Sequence, residues 1–214
     1  KSLREHEKIL PPAEIERRSF EIIEQELPHT LDPLQAPVIK RVIHTTADFS
    51  YVDSLCFSQG VIESARQAIR EGSSIITDTN MVKAGINGER LSVYGGKVHC
   101  FMADEDVAEQ ARRQGTTRAA VCMEKAAAQK EPLIVAIGNA PTALVRLCEL
   151  IEEGRMAPRL VIGAPVGFVN VAESKEMLMR SNAPCIVARG RKGGSNIAAA
   201  LCNALLYLAA GRSL

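Results

Sequence analysis

The sequence has no excess of charge of either sign and no long apolar run. Its 26 Lys and Arg residues balance 25 Asp and Glu residues, which leaves a formal net charge of +1. No global field therefore attracts DNA or an acidic membrane surface, and an anionic ligand must be met by a local cluster of cations. No stretch approaches the roughly 20 apolar residues that cross a bilayer, and nothing resembles a signal peptide. We expect a soluble, cytoplasmic protein that binds neither nucleic acid nor membrane.

The 214-residue chain also lacks Trp, and only 4% of it is aromatic although 46% is hydrophobic. Its core must therefore be aliphatic, which suits helices packed on a parallel sheet. A chain of this length can form one domain with a sizeable core. None of its cysteines are spaced as in a zinc or thiol-redox site, so we expect them to be reduced. The six are Cys56, Cys100, Cys122, Cys148, Cys185 and Cys202.

The hydrophobic pattern alternates between short buried strands and amphipathic helices. It predicts a single α/β domain over 1–214, with a mainly parallel doubly wound sheet flanked by helices and a loose arm over 1–10. Right-handed crossovers would place the exits of the last three strands on one edge of the sheet. The predicted strands are 74–78, 97–102, 133–137, 160–162 and 185–188. The predicted helices are 13–27, one that ends near 44, 59–71, 104–114, one that opens at 116, 142–153, 173–180 and 195–210.

The segment 37–48 places a histidine, His44, at the end of an apolar helical stripe. Leu34, Val38 and Val42 recur at helical spacing, so this face should be buried. An imidazole exchanges protons near neutral pH more readily than any other unperturbed side chain, which makes His44 the leading candidate for catalysis. The alternative is a structural histidine that interacts with the carbonyl end of its helix.

Three further polar residues each have a functional and a structural interpretation. Ser19 interrupts the apolar row of the first helix, and its hydroxyl either bonds back to a helix carbonyl or faces a ligand. Asp78 follows a buried strand, where it either contacts a ligand or caps the next helix. Arg118 lies in the first turn of a helix, which is unfavourable for a cation, so we expect either an anionic ligand or a surface salt bridge there. His99 alternates with apolar neighbours and is expected to be structural.

Glycine- and proline-rich loops follow the last three predicted strands, over 138–142, 163–169 and 189–195. The third, with Arg189, Arg191 and Lys192, suits an anion, although a basic turn that only solvates the domain has the same composition. Neither a Walker lysine motif nor a G-x-G-x-x-G fingerprint is present, which disfavours a nucleotide enzyme. These loops predict a site at this edge without naming its reaction.

Six segments, taken in order and spacing, resemble the precorrin-8X (cobalt-precorrin-8) methylmutases of cobalamin biosynthesis. The resemblance runs from about Glu16 to Leu208. The segments are Val42-Ile-His-Thr-Thr-Ala-Asp48, Thr116-Thr-Arg118, Ala136-Ile-Gly-Asn-Ala-Pro-Thr-Ala-Leu144, Gly163-Ala-Pro-Val-Gly-Phe-Val169, Glu173-Ser-Lys175 and Gly190-Arg-Lys-Gly-Gly-Ser195.

This resemblance implies an isomerase that moves a methyl group from C-11 to C-12 of a tetrapyrrole, giving hydrogenobyrinic acid or, from the cobalt-containing substrate, cobyrinic acid. It also implies a homodimer with the substrate near the subunit interface. The shift is intramolecular, so no methyl donor or other cofactor is expected, and any cobalt arrives inside the substrate rather than on protein ligands. The alternative from another class is a corrinoid-binding or carrier protein without catalytic activity.

The family's catalytic histidine matches His44, which is expected to protonate or hydrogen-bond the macrocycle beside the migrating methyl group. Its Thr-Arg-Ser motif matches Thr117 and Arg118, but Ala119 replaces the serine, so a hydroxyl role there is in doubt. The substrate is a flat apolar ring fringed with carboxylates and needs aliphatic walls with scattered anion donors. The residues expected to bind it are Ser19, Thr117, Arg118, Gly193 and Gly194.

Overall fold

The structure is a computed structural model that describes residues 11–212, so the arm expected over 1–10 lies outside the described residues. Its strands are β1 (Leu55–Phe57), β2 (Ser74–Thr77), β3 (Val98–His99), β4 (Leu133–Ile137), β5 (Leu160–Gly163) and β6 (Cys185–Ala188). They form one sheet in the order β1-β6-β5-β4-β2-β3. All neighbours pair in parallel except β1, which runs antiparallel along β6. The mainly parallel α/β fold predicted from the sequence is confirmed.

Helices cover both faces of this sheet, because successive strand residues point to opposite sides. Ile134 and Ala136 of β4 belong to one core, whereas Val135 and Ile137 belong to the other. The first core lies under α1 (Pro12–Glu26), α2 (Ala36–Thr46), α3 (Tyr51–Ser54), α4 (Val61–Arg70), α5 (Asn80–Gly85), α6 (Gly88–Ser92) and α11 (Ser195–Ala209). The second lies under α7 (Glu105–Gln114), α8 (Arg118–Ala127), α9 (Pro141–Glu152) and α10 (Val171–Arg180). Within residues 11–212, no helix is both long and apolar enough to cross a bilayer.

The predicted helices agree with the observed ones to within a few residues. Glycines end two of them as expected: Gly72 and Gly115 follow α4 and α7 with positive φ angles of 86° and 63°. Val38 and Val42 are buried as predicted, but Leu34 is 63% exposed. The prediction for Leu34 was wrong because α2 begins only at Ala36, so the helical spacing does not extend back to it.

Two strand predictions also required correction. β1 and the short α3 before it lie in a segment for which the sequence predicted neither strand nor helix, because three residues carry too little pattern to identify an edge strand. β3 covers only two of the six residues predicted over 97–102. The antiparallel direction of β1 has a structural consequence: its start lies at the same edge as the end of β6. There the Arg189 N–H donates to the Ser54 carbonyl at 2.8 Å.

Candidate active site

The loops after β4, β5 and β6 pack against one another at the carboxyl edge of the sheet, as predicted. The Ala164 N–H donates to the Ile137 carbonyl at 2.8 Å, and the Gly194 N–H donates to the Ala164 carbonyl at 2.9 Å. A Cβ atom on Gly193 would clash with the carbonyl oxygens of Ala164 and Pro165, so only glycine fits there. The Gly194 N–H is already bonded and is not free to bind a ligand. The main effect of Gly193 and Gly194 is therefore to let the loops pack closely at this edge.

A fully buried lysine, Lys175, anchors the loop after β6. Its Nζ donates to the carbonyls of Gly190 at 2.7 Å and Lys192 at 2.8 Å. Burial lowers the pKa of this ammonium group to about 8. Lys175 shares one face of α10 with buried residues at helical spacing, Val171, Ser174 and Leu178. The sequence could have indicated this anchor, because it places a lysine within a row of helix residues that face the core. The sequence analysis nevertheless assigned Lys175 no role.

Ion pairs attach the same loop to its neighbours. The Lys192 Nζ lies 2.7 Å from an Asp48 carboxylate oxygen and also donates to the Ser50 hydroxyl. The hydrogen bonds that Asp48 accepts from Lys192 and from the hydroxyl and N–H groups of Ser50 lower its pKa to about 2. The Arg189 Nε donates to Glu176 at 2.7 Å. Asp48 comes four residues after His44, so its ion pair holds the end of α2 at this edge of the sheet.

Asp78 is buried and acts as a cap, but not of the helix that directly follows it. Its carboxylate accepts N–H bonds from Gly138 at 2.8 Å, Asn139 at 2.9 Å and Ala140 at 2.7 Å, at the start of α9. Burial raises the pKa of this carboxyl group, while the three N–H donors act in the opposite direction. Thr79 instead caps α5. Asp78 therefore fixes the loop after β4 and does not point to a ligand.

His44 lies exposed in the last turn of α2. Its imidazole stacks on the ring of Phe20 from α1, with centroids 5.0 Å apart and an angle of 14° between the planes. Among the described residues it forms no hydrogen bond, so both ring nitrogens are accessible. The aromatic contact restricts the ring plane without using either nitrogen.

Ser19 is the neighbour of Phe20 and is half-buried on the same helix. Its hydroxyl donates to the Ile15 carbonyl at 2.8 Å, which is the structural alternative considered from the sequence. The oxygen can still accept a hydrogen bond. Ser19 and His44 lie on adjacent helices of one layer, and the contact between these helices at His44 is made by Phe20.

Thr117 and Arg118 lie in the opposite layer, at the start of α8. The Thr117 hydroxyl caps this helix by accepting from the Ala120 N–H at 3.1 Å, and it bonds the Thr142 hydroxyl at 2.9 Å. Arg118 is exposed and forms no ion pair within residues 11–212, so the expected surface salt bridge is not observed. Ala119 is 5% exposed, so its side chain faces the core. This part of the site retains one cation that no carboxylate of the described chain neutralises.

Comparisons with known proteins match the chain to one family. The family model for precorrin-8X methylmutase matches residues 14–208. The chain is 46% identical to the cobalt-precorrin-8 methylmutase of Priestia megaterium, over 92% of this chain and 88% of that protein. It is 41% identical to the precorrin-8X methylmutase of Pseudomonas aeruginosa, over 89% and 93%. The structure of a precorrin-8X methylmutase from Thermus thermophilus superposes with a TM-score of 0.85 at 42% identity, covering 94% of this chain and 99% of that one.

Proposed function

The chain belongs to the precorrin-8X methylmutase family, and we propose that His44 is the residue that assists its reaction by protonating or hydrogen-bonding the macrocycle. The protein is an isomerase that shifts a methyl group from C-11 to C-12 of precorrin-8X or cobalt-precorrin-8, in the synthesis of cobalamin. The products are hydrogenobyrinic acid or cobyrinic acid. The relatives include proteins named for both substrates, so the family covers the cobalt-containing and the cobalt-free reaction.

One observation supports the role of His44 above the others: its imidazole is exposed at the end of α2 with both nitrogens accessible among the described residues. A methyl shift between neighbouring ring carbons redistributes electrons through the conjugated system, and a proton placed on that system stabilises the redistribution. The remaining requirement is to hold the macrocycle so that the methyl group is aligned for the shift. No protein metal ligand enters either step.

Binding is assigned to groups that meet a flat apolar ring with a carboxylate fringe. Arg118 supplies a cation that is not paired within the described chain, and Ser19, next to Phe20 in sequence, supplies a hydroxyl that would bind a carboxylate by donating to it in place of the Ile15 carbonyl. Thr117 orients the start of α8, and Gly193 and Gly194 let the loops pack closely enough to form one continuous edge. In this proposal the two layers of the fold contribute to opposite sides of one site.

The working form is proposed to be a cytoplasmic homodimer. Large apolar side chains are exposed near this edge, including Val169 at 77% and Met81 at 72%. Such exposure is typical of a surface that meets a partner, and a second subunit would help to enclose a ligand the size of a corrinoid. All six cysteines are unpaired, which fits a reducing compartment.

The test is to incubate the purified chain with precorrin-8X and follow the change in absorption as the conjugation rearranges. Substrate carrying an isotopic label in the C-11 methyl group should give product that retains all of the label at C-12, because the shift is intramolecular. Turnover should not depend on an added methyl donor. Binding of the tetrapyrrole without conversion would instead identify a carrier and would contradict the isomerase assignment.

A further inference from the structure

The three cations of the loop after β6 differ in their partners. Arg189 is paired with Glu176, and Lys192 is paired with Asp48, each at 2.7 Å. Arg191 is exposed and pairs with no carboxylate within residues 11–212. If the loop served only to keep one end of the domain soluble, nothing would explain why two of its cations have carboxylate partners and the third has none. The positive charge that this loop can offer to a ligand is therefore concentrated on one guanidinium group.

The backbone around Arg191 is held on both sides. The buried Nζ of Lys175 binds the carbonyls of Gly190 and Lys192, the two residues that flank it. The carbonyl of Arg191 itself accepts the Gly167 N–H at 3.2 Å. Since the backbone is already fixed, a ligand that binds the side chain bears little cost for ordering the loop.

The side chain of Arg191 is held as well. Its Cζ lies 5.4 Å from the centroid of the Phe168 ring, in a cation–π contact. Phe168 lies in the loop after β5 and is 79% exposed, which is unusual for a large aromatic residue. A planar guanidinium group beside an exposed ring presents two parallel donors next to an apolar plate. This combination matches a carboxylate attached to the rim of a flat apolar macrocycle.

We propose that Arg191, stacked on Phe168, is the receptor for one peripheral carboxylate of the tetrapyrrole substrate. This inference rests on the proposed function and adds a second anion-binding group, on the β6 side of the edge, to Arg118. The sequence did not single out the pair of Arg191 and Phe168, because it marked Arg191 only as one of three cations in a basic loop. Its two members come from adjacent strand exits, so only the folded sheet brings them together.

The test compares the affinity of the intact protein and its variants for hydrogenobyrinic acid, measured by absorption titration. Arg191→Ala should bind roughly 10- to 100-fold more weakly, the range for loss of a hydrogen-bonded charged group. The affinity of Arg191→Lys should lie between those of the parent and Arg191→Ala, because lysine keeps the charge but lacks the planar pair of donors. Arg180→Ala is the matched control: Arg180 is exposed at the end of α10, near the opposite edge, and forms no ion pair within the described range. Its affinity should stay within about twofold of the parent, as for a surface substitution.

A second probe identifies the group that Arg191 recognises. The probe is a derivative of hydrogenobyrinic acid whose peripheral carboxylates are converted to amides. The affinities of the parent and Arg191→Ala for this derivative should differ by less than about threefold, since a neutral amide gains little from the cation. Unchanged affinity of Arg191→Ala for the acid, in a protein that still turns over precorrin-8X, would overturn this inference and leave the proposed function intact. A parent protein that neither binds nor converts the tetrapyrrole would overturn the proposed function itself. A change in sedimentation of Arg191→Ala without a change in affinity per subunit would place Arg191 in a subunit contact and overturn the carboxylate role.

Discussion

The imidazole of His44 lies nearly parallel to the ring of Phe20, with 5.0 Å between centroids and 14° between planes. His44 lies in the last turn of α2 and Phe20 lies within α1. Their contact therefore joins two helices that the sequence shows only as separate amphipathic segments. Stacking holds the imidazole in one plane while its nitrogens stay accessible to a ligand. This arrangement suits the role proposed for His44, a proton donor to a flat macrocycle.

His44→Ala should remove most turnover of precorrin-8X, by about 10²- to 10⁴-fold, because general acid–base catalysis contributes that much. Its affinity for hydrogenobyrinic acid should be nearly unchanged, since the ring walls and carboxylate donors supply the binding. His44 is exposed but stacks on Phe20, so the free energy of unfolding should fall by no more than about 0.5–1.5 kcal/mol, the range for an aromatic pair. His44→Asn keeps a hydrogen bond but cannot transfer a proton, so it separates protonation from positioning. If both variants turned over at the parent rate with the parent pH profile, His44 would be only a helix-end residue.

Arg118→Ala should weaken binding of hydrogenobyrinic acid by about 1.5–3 kcal/mol, the range for hydrogen bonds to charged groups. The thermal midpoint should be unaffected, because Arg118 is exposed and has no ion-pair partner in the described chain. Thr117→Ala serves as a contrast. It removes a helix cap and the bond to Thr142, so its main effect should be a loss of about 1 kcal/mol in stability. Equal affinities of Arg118→Ala and the parent would leave Arg118 as a surface charge.

Lys175 should make the free energy of unfolding depend on pH in the alkaline range. Its pKa in the folded protein is about 8, below its ordinary value of 10.5, so between these values the unfolded chain holds a proton that the folded chain has released. Lys175 should therefore contribute stability that rises with pH from about 8 to about 10.5, at about 1.4 kcal/mol per pH unit. Buried thiols act in the opposite direction above about pH 9, because burial raises the pKa of Cys122, Cys148 and Cys202 and the folded chain keeps protons that the unfolded chain releases. Denaturant unfolding across this range measures the effect.

Lys175→Met should remove this contribution and keep that of the thiols, because methionine fills a similar volume without a titrating group, so the stability of the parent relative to the variant should rise with pH from about 8 to about 10.5. Lys130→Met is the control, since Lys130 is exposed in the turn before β4 and its replacement should leave the slope as in the parent. If the stability of the parent relative to Lys175→Met did not rise over this pH range, Lys175 would keep its proton in the folded protein. The two carbonyl bonds to Gly190 and Lys192 would then outweigh the effect of burial.

Sedimentation at micromolar concentration in the presence of hydrogenobyrinic acid should give a dimer. The exposed Val169 and Met81 near the edge of the sheet provide apolar surface that a second subunit would cover. Val169→Glu should shift the equilibrium toward the monomer, because a charge at a covered apolar contact must be desolvated. A parent protein that remains monomeric with ligand bound would contradict the proposed assembly.

The sequence by itself determined the elements that depend on local pattern. The spacing of neighbouring residues indicates β4 by its continuous apolar run, α4 by its periodic apolar face and the end of α7 by the glycine that follows it. These elements were predicted nearly to their ends. The common edge of the glycine-rich loops also followed, because right-handed crossovers bring parallel strand ends to one side. The family resemblance, carried by six short segments, named the reaction and His44.

Tertiary structure alone decided which side chains meet across those elements. Asp78 caps α9, 60 residues further along the chain, and Lys175 on α10 binds carbonyls of the loop after β6. The sequence showed that the loop after β6 is positively charged. It did not show that Arg189 and Lys192 are paired with carboxylates while Arg191 lies beside Phe168. The physical reason is that hydrogen bonds and ion pairs depend on distances of a few ångströms between residues far apart in sequence, which periodicity does not encode. Only the packing of the two helical layers on the sheet sets those distances.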